Sequence, residues 1–320
     1  MLYALVSGNS KKKITMKKSV LTIILILILT NVYGQKLDSI AYKYGHLFYH
    51  SYGNGETIIM LSGGPGNNAL QLESVALKLS QKNRVVLLEQ RGTGRSIPTK
   101  FDKETINIKS ALSDINLLLG HLNLKSAIFL GHSYGAELAI IYASQFPEKV
   151  KSTILISPGI IDEESGFITL CNIGSRLGQQ EIVKWEELYY KNFFGKISET
   201  ESAEYHFLTR LTYIYDKSKI DTLLPLMEGQ LNENTFNYIS SDLAEQNINV
   251  YNLVKNINSP IYIISGRQDI SEFVSYELKI AKPSIHLHWI NESGHFPMYE
   301  QPEEFYKILN QILDKTNNYR

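Results

Sequence analysis

The pentapeptide Gly131-His132-Ser133-Tyr134-Gly135 constrains this chain more than any other feature. The apolar run Ala127-Ile128-Phe129-Leu130 leads into it, and the helix-like run Ala136-Glu137-Leu138-Ala139-Ile140-Ile141-Tyr142-Ala143 leads out. A strand, a sharp turn and a helix must follow one another within a few residues. Glycines on both sides let strand and helix pass where a Cβ would clash. The turn pushes Ser133 into an unusual backbone conformation and lifts its hydroxyl clear of the sheet. The following helix aims its N-terminal N–H groups at the same place and favours negative charge there. Taken alone, the pentapeptide also reads as a tight glycine turn with a surface serine.

Residues further along favour the chemical reading. G-x-S-x-G between strand and helix is the context of the α/β-hydrolase nucleophile elbow, whose partners follow in the order Ser, Asp or Glu, His. The strand-like run Ile261-Tyr262-Ile263-Ile264-Ser265 precedes Gly266-Arg267-Gln268-Asp269, and the run from Ile285 to Ile290 precedes Asn291-Glu292-Ser293-Gly294-His295-Phe296-Pro297. Asp269 and His295 thus fall just past the C-terminal ends of strands, where ligands bind in open α/β sheets. A serine hydroxyl is a weak nucleophile. His295 as general base would take its proton and return it to the leaving group, and Asp269 would hold the imidazole in the right tautomer. Singly, Asp269 reads equally as a helix N-cap and His295 as a structural histidine. Order and placement together point to a catalytic triad.

An oxyanion hole is expected as well. Thr57–Leu61 reads as a buried strand running into Ser62-Gly63-Gly64-Pro65-Gly66. Gly64 is the first choice for one backbone donor and Gly63 the second; Tyr134, the residue after the nucleophile, supplies the other. A plain Pro-Gly turn is the alternative.

Strand-like runs recur at 45–52, 57–61, 84–89, 127–130, 152–157, 261–265 and 285–290, with helical stretches between most of them. Several are continuous Val/Ile/Leu runs, as expected for strands buried on both faces. The alternation predicts an α/β fold with a mostly parallel sheet flanked by helices. Between Ile160 and about Gln246 the rhythm breaks into helical spacing rich in Glu, Leu, Tyr and Phe. A helical cap over residues 160–245, inserted into a catalytic domain of 35–159 and 246–320, is the expectation; an oligomerisation insert is the alternative. Tyr189-Tyr190 and Tyr213-Tyr215 are candidates to line a pocket or to pack the core.

These blocks resemble the α/β-hydrolases of the prolyl aminopeptidase (proline iminopeptidase) family. The resemblance rests on Gly63-Gly64-Pro65-Gly66, on Glu89-Gln90-Arg91-Gly92-Thr93-Gly94-Arg95-Ser96, on the elbow, on Gly266-Arg267-Gln268-Asp269 and on Ser293-Gly294-His295-Phe296-Pro297. It spans about Gly63 to Glu304. It implies an α/β-hydrolase fold and release of N-terminal residues from short peptides, with glutamates of the cap receiving the substrate ammonium. Trp185-Glu186 is similar to one family pattern and Glu204-Tyr205-His206-Phe207 to another, which makes Glu186 and Glu204 the substrate-binding candidates. Ser62 stands where the family usually has His, Glu89 where it has Asp, and the elbow differs from G-G-S-W-G. These departures leave hydrolase chemistry intact and the N-terminal residue open. A carboxylesterase or acyltransferase of the same fold is the alternative. Epoxide hydrolases and dehalogenases need a carboxylate where Ser133 stands. A non-catalytic binding module should have lost part of the triad or the oxyanion loop, and this chain has lost neither.

The N-terminus reads as a targeting segment. Met16-Lys17-Lys18 is basic, Val20–Leu29 is apolar, and Val32-Tyr33-Gly34 forms a small-residue cleavage site before Gln35, with Met16 as the expected start. The apolar run is too short for a membrane span, so residues 1–34 are expected to direct export, to the periplasm or outside, with no stable membrane insertion after cleavage. The chain carries 32 basic and 32 acidic residues. The first 34 hold five lysines and no acid, which leaves 27 basic against 32 acidic beyond them. This mildly acidic balance gives no electrostatic case for nucleic acid. The single cysteine, Cys171, excludes an internal disulfide and is expected to be buried. No metal-ligand spacing and no dinucleotide or phosphate loop appears, so neither metal nor cofactor is expected. The implied partner is a small molecule or short peptide.

Overall fold

A computed structural model describes residues 35–160, 162–227 and 230–318. The predicted leader lies outside them. Eight strands form one sheet: β1 Lys36–Tyr42, β2 Gly45–Tyr52, β3 Thr57–Leu61, β4 Arg84–Leu88, β5 Ala127–Ser133, β6 Val150–Pro158, β7 Ile261–Gly266 and β8 His286–Ile290. Their spatial order is β1-β2-β4-β3-β5-β6-β7-β8. β2 pairs antiparallel with β1 and β4. Every pairing from β4 across to β8 is parallel.

Side chains alternate across a strand, and the core divides accordingly. Ile58, Met60, Val85, Leu87, Ile128 and Leu130 enter one apolar cluster, while Ile59, Leu61, Val86, Leu88 and Phe129 enter the other. A sheet buried on both faces needs helices on both, and the chain supplies them. They are α1 Glu73–Leu79, α2 Ile108–His121, α3 Tyr134–Gln145, α4 Glu163–Ser175, α5 Gln179–Phe193, α6 Glu199–Thr212, α7 Ile220–Met227, α8 Glu233–Glu245, α9 Val250–Val254, α10 Glu272–Ala281, α11 Pro297–Glu300 and α12 Pro302–Asn318. α3 is central: Tyr134 through Ala143 are all buried. This is the fold expected from the alternating runs.

Helices α4 to α9 lie between β6 and β7, with no strand among the described residues there. Trp185, Leu188, Leu208, Leu211, Leu223 and Met227 join one core cluster, and Ile239 joins the other.

Three expectations need correction. β1 is an additional strand, because Lys-Leu-Asp-Ser-Ile-Ala-Tyr has neither a continuous apolar run nor strict alternation; it is a half-exposed edge strand held by its antiparallel ladder to β2. β5 runs three residues past Leu130, since Gly131, His132 and Ser133 stay extended until the turn itself. Cys171 is exposed rather than buried. It sits on the outward face of α4 with Phe167 and Ile168, and Phe167 is 67% exposed.

Candidate active site

Ser133 is the last residue of β5 and α3 begins at Tyr134. The serine has φ 53° and ψ −126°, a conformation that a non-glycine residue adopts only when its surroundings force it. The force is visible. A Cβ on Gly131 would stand 2.1 Å from the Gly135 carbonyl oxygen, and one on Gly135 would stand 2.1 Å from that of Leu61. Only glycine lets β5, α3 and β3 converge so closely.

Two loops meet this turn. Asp269 follows β7 and His295 follows β8, and His295 Nδ1 lies 2.9 Å from Asp269 Oδ2. Both are buried, Asp269 to 1% and His295 to 6% exposure. The other Asp269 oxygen, Oδ1, accepts from Ser271 N at 3.0 Å and Ser271 Oγ at 3.2 Å. One Asp269 oxygen thus faces the imidazole and the other closes its own turn, while the N-cap of α10 is Ser271 rather than Asp269. Burial alone would raise its carboxyl; the His295 imidazole and the Ser271 hydrogen bonds override that and hold it below the usual carboxylate range.

The His295 loop is fixed from several sides. The His295 N–H donates to the Tyr213 carbonyl at 2.6 Å, and the Tyr213 ring stacks on the imidazole with centroids 5.1 Å apart. Glu300 Oε1 accepts from Gly294 N at 2.8 Å and its Oε2 from Tyr215 N at 2.7 Å. His132 Nε2 lies 3.0 Å from the His295 carbonyl oxygen. A carbonyl can only accept, so His132 carries its proton on Nε2. Burial, and then His295, lower His132 to about 3; it is neutral, and its buried Nδ1 has no partner.

The acid loop is held by the inserted helices. Arg176, which caps α4, donates to the carbonyls of Gln268 and Asp269, and Asn172 Nδ2 donates to Ile270 O at 2.7 Å.

On the glycine loop, a Cβ at Gly63 would stand 3.0 Å from Ser133 Cβ. Gly64 has φ 118°, and its missing Cβ would point instead at the amides of Gly66 and Asn67 in its own turn. Gly63, the second choice, is therefore the glycine packed against the serine. Ser62, where the resembling family has His, gives its Oγ to Asn67 O at 3.1 Å and receives Gln90 Nε2 at 3.1 Å. Glu89 is fully engaged away from the serine: Oε1 meets His50 Nε2 at 2.6 Å and Oε2 accepts from Arg95 N.

Glu186 and Glu204 are not brought to the site as a buried anion. Glu186 is exposed, and Glu204, its side chain 47% exposed, faces Lys184 at 3.8 Å. The aromatic residues next to each explain this. Trp185 and Tyr205 stack inward with centroids 5.9 Å apart, and neighbouring helical positions are turned about 100° from one another, so the glutamates point out. Of the tyrosines considered for a pocket, Tyr213 packs on His295, Tyr189 stacks on Trp185, and Tyr190 and Tyr215 are exposed.

Residues 56–302 match the profile of the family described as alpha/beta hydrolase fold. The chain belongs to that family. Within it, the chain is similar to the proline iminopeptidase of Heyndrickxia coagulans, 27% identical over 274 residues that cover 82% of this chain and 92% of that protein. It is also similar to a 2-hydroxy-6-oxononadienedioate/2-hydroxy-6-oxononatrienedioate hydrolase of Pseudomonas putida, 26% identical over 83% of this chain and 91% of that one. Among solved structures, a proline iminopeptidase-related protein of Thermus thermophilus superposes with a TM-score of 0.71 at 18% identity, covering 88% of this chain and 98% of the other. Membership in this hydrolase family supports an enzyme.

The sequence reading of this α/β-hydrolase missed His132, Arg176 and Glu137, and it named Tyr213 without placing it on His295. Only Glu137 left a signal in the letters, as the lone charge in an otherwise uncharged helix.

Proposed function

We propose that the chain is a serine hydrolase acting through an acyl-enzyme. The observation that carries this reading is Ser133, held at φ 53° at the tip of a central strand directly after His132, whose ring lies 5.0 Å from that of His295 in the buried His295–Asp269 pair. His295 takes the Ser133 proton as the hydroxyl attacks a carbonyl carbon. Asp269, bonded to Nδ1, keeps Nε2 free for that proton and stabilises the imidazolium. The N–H of Tyr134 and the Gly63-Gly64 loop receive the developing oxyanion. His295 then protonates the leaving group, and water repeats the sequence in reverse. The helices between β6 and β7 act as a cap: Arg176, Asn172 and Tyr213 hold the acid and base loops, so cap and catalytic groups are coupled.

The substrate reading is an aminopeptidase of proline iminopeptidase type, which releases N-terminal residues from short peptides. Similarity to the proline iminopeptidase of H. coagulans over nine-tenths of that protein supports it. A carboxylesterase or acyltransferase on small esters is the second reading, favoured by the exposure of Glu186 and Glu204. The lysine-flanked apolar run at 16–34 supports export; N-terminal sequencing of the mature protein tests that. Aminoacyl-arylamides and short-chain p-nitrophenyl esters, assayed side by side, decide between the substrate readings. Turnover of esters alone removes the aminopeptidase.

A further inference from the structure

Glu137 sits in the first turn of α3 and is 5% exposed. The other strongly buried acids have found partners: Glu89 has His50, Asp114 has Arg91, Asp269 has His295, and Glu300 has two backbone amides. Among the described residues no Lys, Arg or His pairs with Glu137; its carboxyl accepts from the Ile160 backbone amide. A buried carboxyl without a cation is costly and calls for a partner.

Its location suggests what that partner is. Gly159 closes the end of β6, and a Cβ there would stand 2.6 Å from Glu137 Oε1 and 3.3 Å from Ser133 Oγ. Both oxygens thus lie against Gly159, and the absence of a side chain there lets them approach one another. In an aminoacyl substrate the α-nitrogen lies two bonds, about 2.5 Å, from the carbonyl carbon. With that carbon on Ser133 Oγ, the nitrogen falls within reach of a carboxyl lying against the same glycine.

We propose that Glu137, not a cap glutamate, receives the α-ammonium of the substrate beside Gly159. The inference rests on the aminopeptidase reading and names the anion that reading needs. It also accounts for Glu186 and Glu204 facing solvent. Burial raises the Glu137 carboxyl to about 8, so it is neutral at pH 7 when no cation faces it. An entering ammonium displaces that proton to solvent and leaves a carboxylate–ammonium pair.

The test compares wild type with Glu137→Gln on a free-amine aminoacyl-arylamide and a short p-nitrophenyl ester. The readout is the ratio of kcat/KM for the amine substrate to that for the ester. Loss of one partner of a buried charged pair predicts a fall of about thirty-fold in that ratio. A fall smaller than about ten-fold makes Glu137 a structural residue and overturns the proposal while leaving the aminopeptidase reading standing. A wild-type enzyme that turns over the ester and no free-amine substrate overturns that reading, and the proposal with it. If Glu137→Gln does not fold, Glu137→Met, similar in volume and without a polar group to bury, is judged by the same ratio and the same threshold.

Discussion

His132 Nε2 donates to the backbone carbonyl of His295 across 3.0 Å, so the residue before the nucleophile holds the loop that carries the base. Replacing it with Phe keeps a ring against Phe296, whose centroid is 4.9 Å away, and removes the donor. A buried carbonyl left unpaired costs about 1–3 kcal/mol. His132→Phe should lower kcat on the order of ten-fold for ester and amide alike, with little change in KM. His132→Gln, which keeps an N–H, should recover part of the loss. Steady-state kinetics on both variants check this; a Phe variant with wild-type kcat removes His132 from the positioning of the base.

Asp269 makes a second prediction. With its carboxyl replaced by an amide, the imidazole loses the acceptor that sets its tautomer, and Asp269→Asn should lower kcat by about 10⁴-fold. The same pair carries stability. The Asp269 carboxyl is depressed in the folded state, so its contribution is present above the unfolded value of about 3.9 and is lost as pH falls through the lower folded value. Chemical denaturation of wild type and variant should show a stability difference that shrinks below about pH 4. A difference that grows on acidification contradicts the depressed carboxyl.

Glu137 runs the other way. Its folded value, about 8, lies above an unfolded carboxylate near 4.3. Between these values the folded state binds the proton that the unfolded state has lost, so stability falls as pH rises. Glu137→Gln should therefore gain stability relative to wild type steadily from about pH 5 to pH 8. Paired urea titrations across that range measure it, and a flat difference shows that Glu137 does not titrate there.

The elbow glycines differ sharply from an ordinary helical glycine. A methyl at Gly135 meets the Leu61 carbonyl oxygen at 2.1 Å, whereas one at Gly120 in α2 meets nothing within 4 Å. Gly120→Ala should stabilise the fold by about 0.5–1 kcal/mol. Gly135→Ala should give insoluble protein, or a folded protein without activity. Expression and thermal melts of the two variants decide it, and a soluble, active Gly135→Ala enzyme would falsify the packing argument for the elbow.

The legible parts of the molecule were those written in local patterns. Thr57–Leu61 is apolar at four of its five positions, so its burial on both faces could be read directly. The order Ser133, Asp269, His295 needed only strands before each residue. What was not legible depends on which way a side chain turns or on contacts distant in sequence. Trp185 packing inward sends Glu186 outward, and no pair of letters states that. Arg176 reaches the Asp269 loop from 93 positions away, and Gly159 meets Glu137 only because β5 and β6 are neighbours in the sheet.

The central claim is that Ser133 is the nucleophile. The direct measurement is kcat of Ser133→Ala on the best substrate of the wild-type enzyme, with folding verified by circular dichroism. Loss of the nucleophile in a triad enzyme lowers kcat on the order of a million-fold, and that is the result expected for a variant with a wild-type spectrum. A folded Ser133→Ala protein whose kcat falls by less than about a hundred-fold contradicts the account.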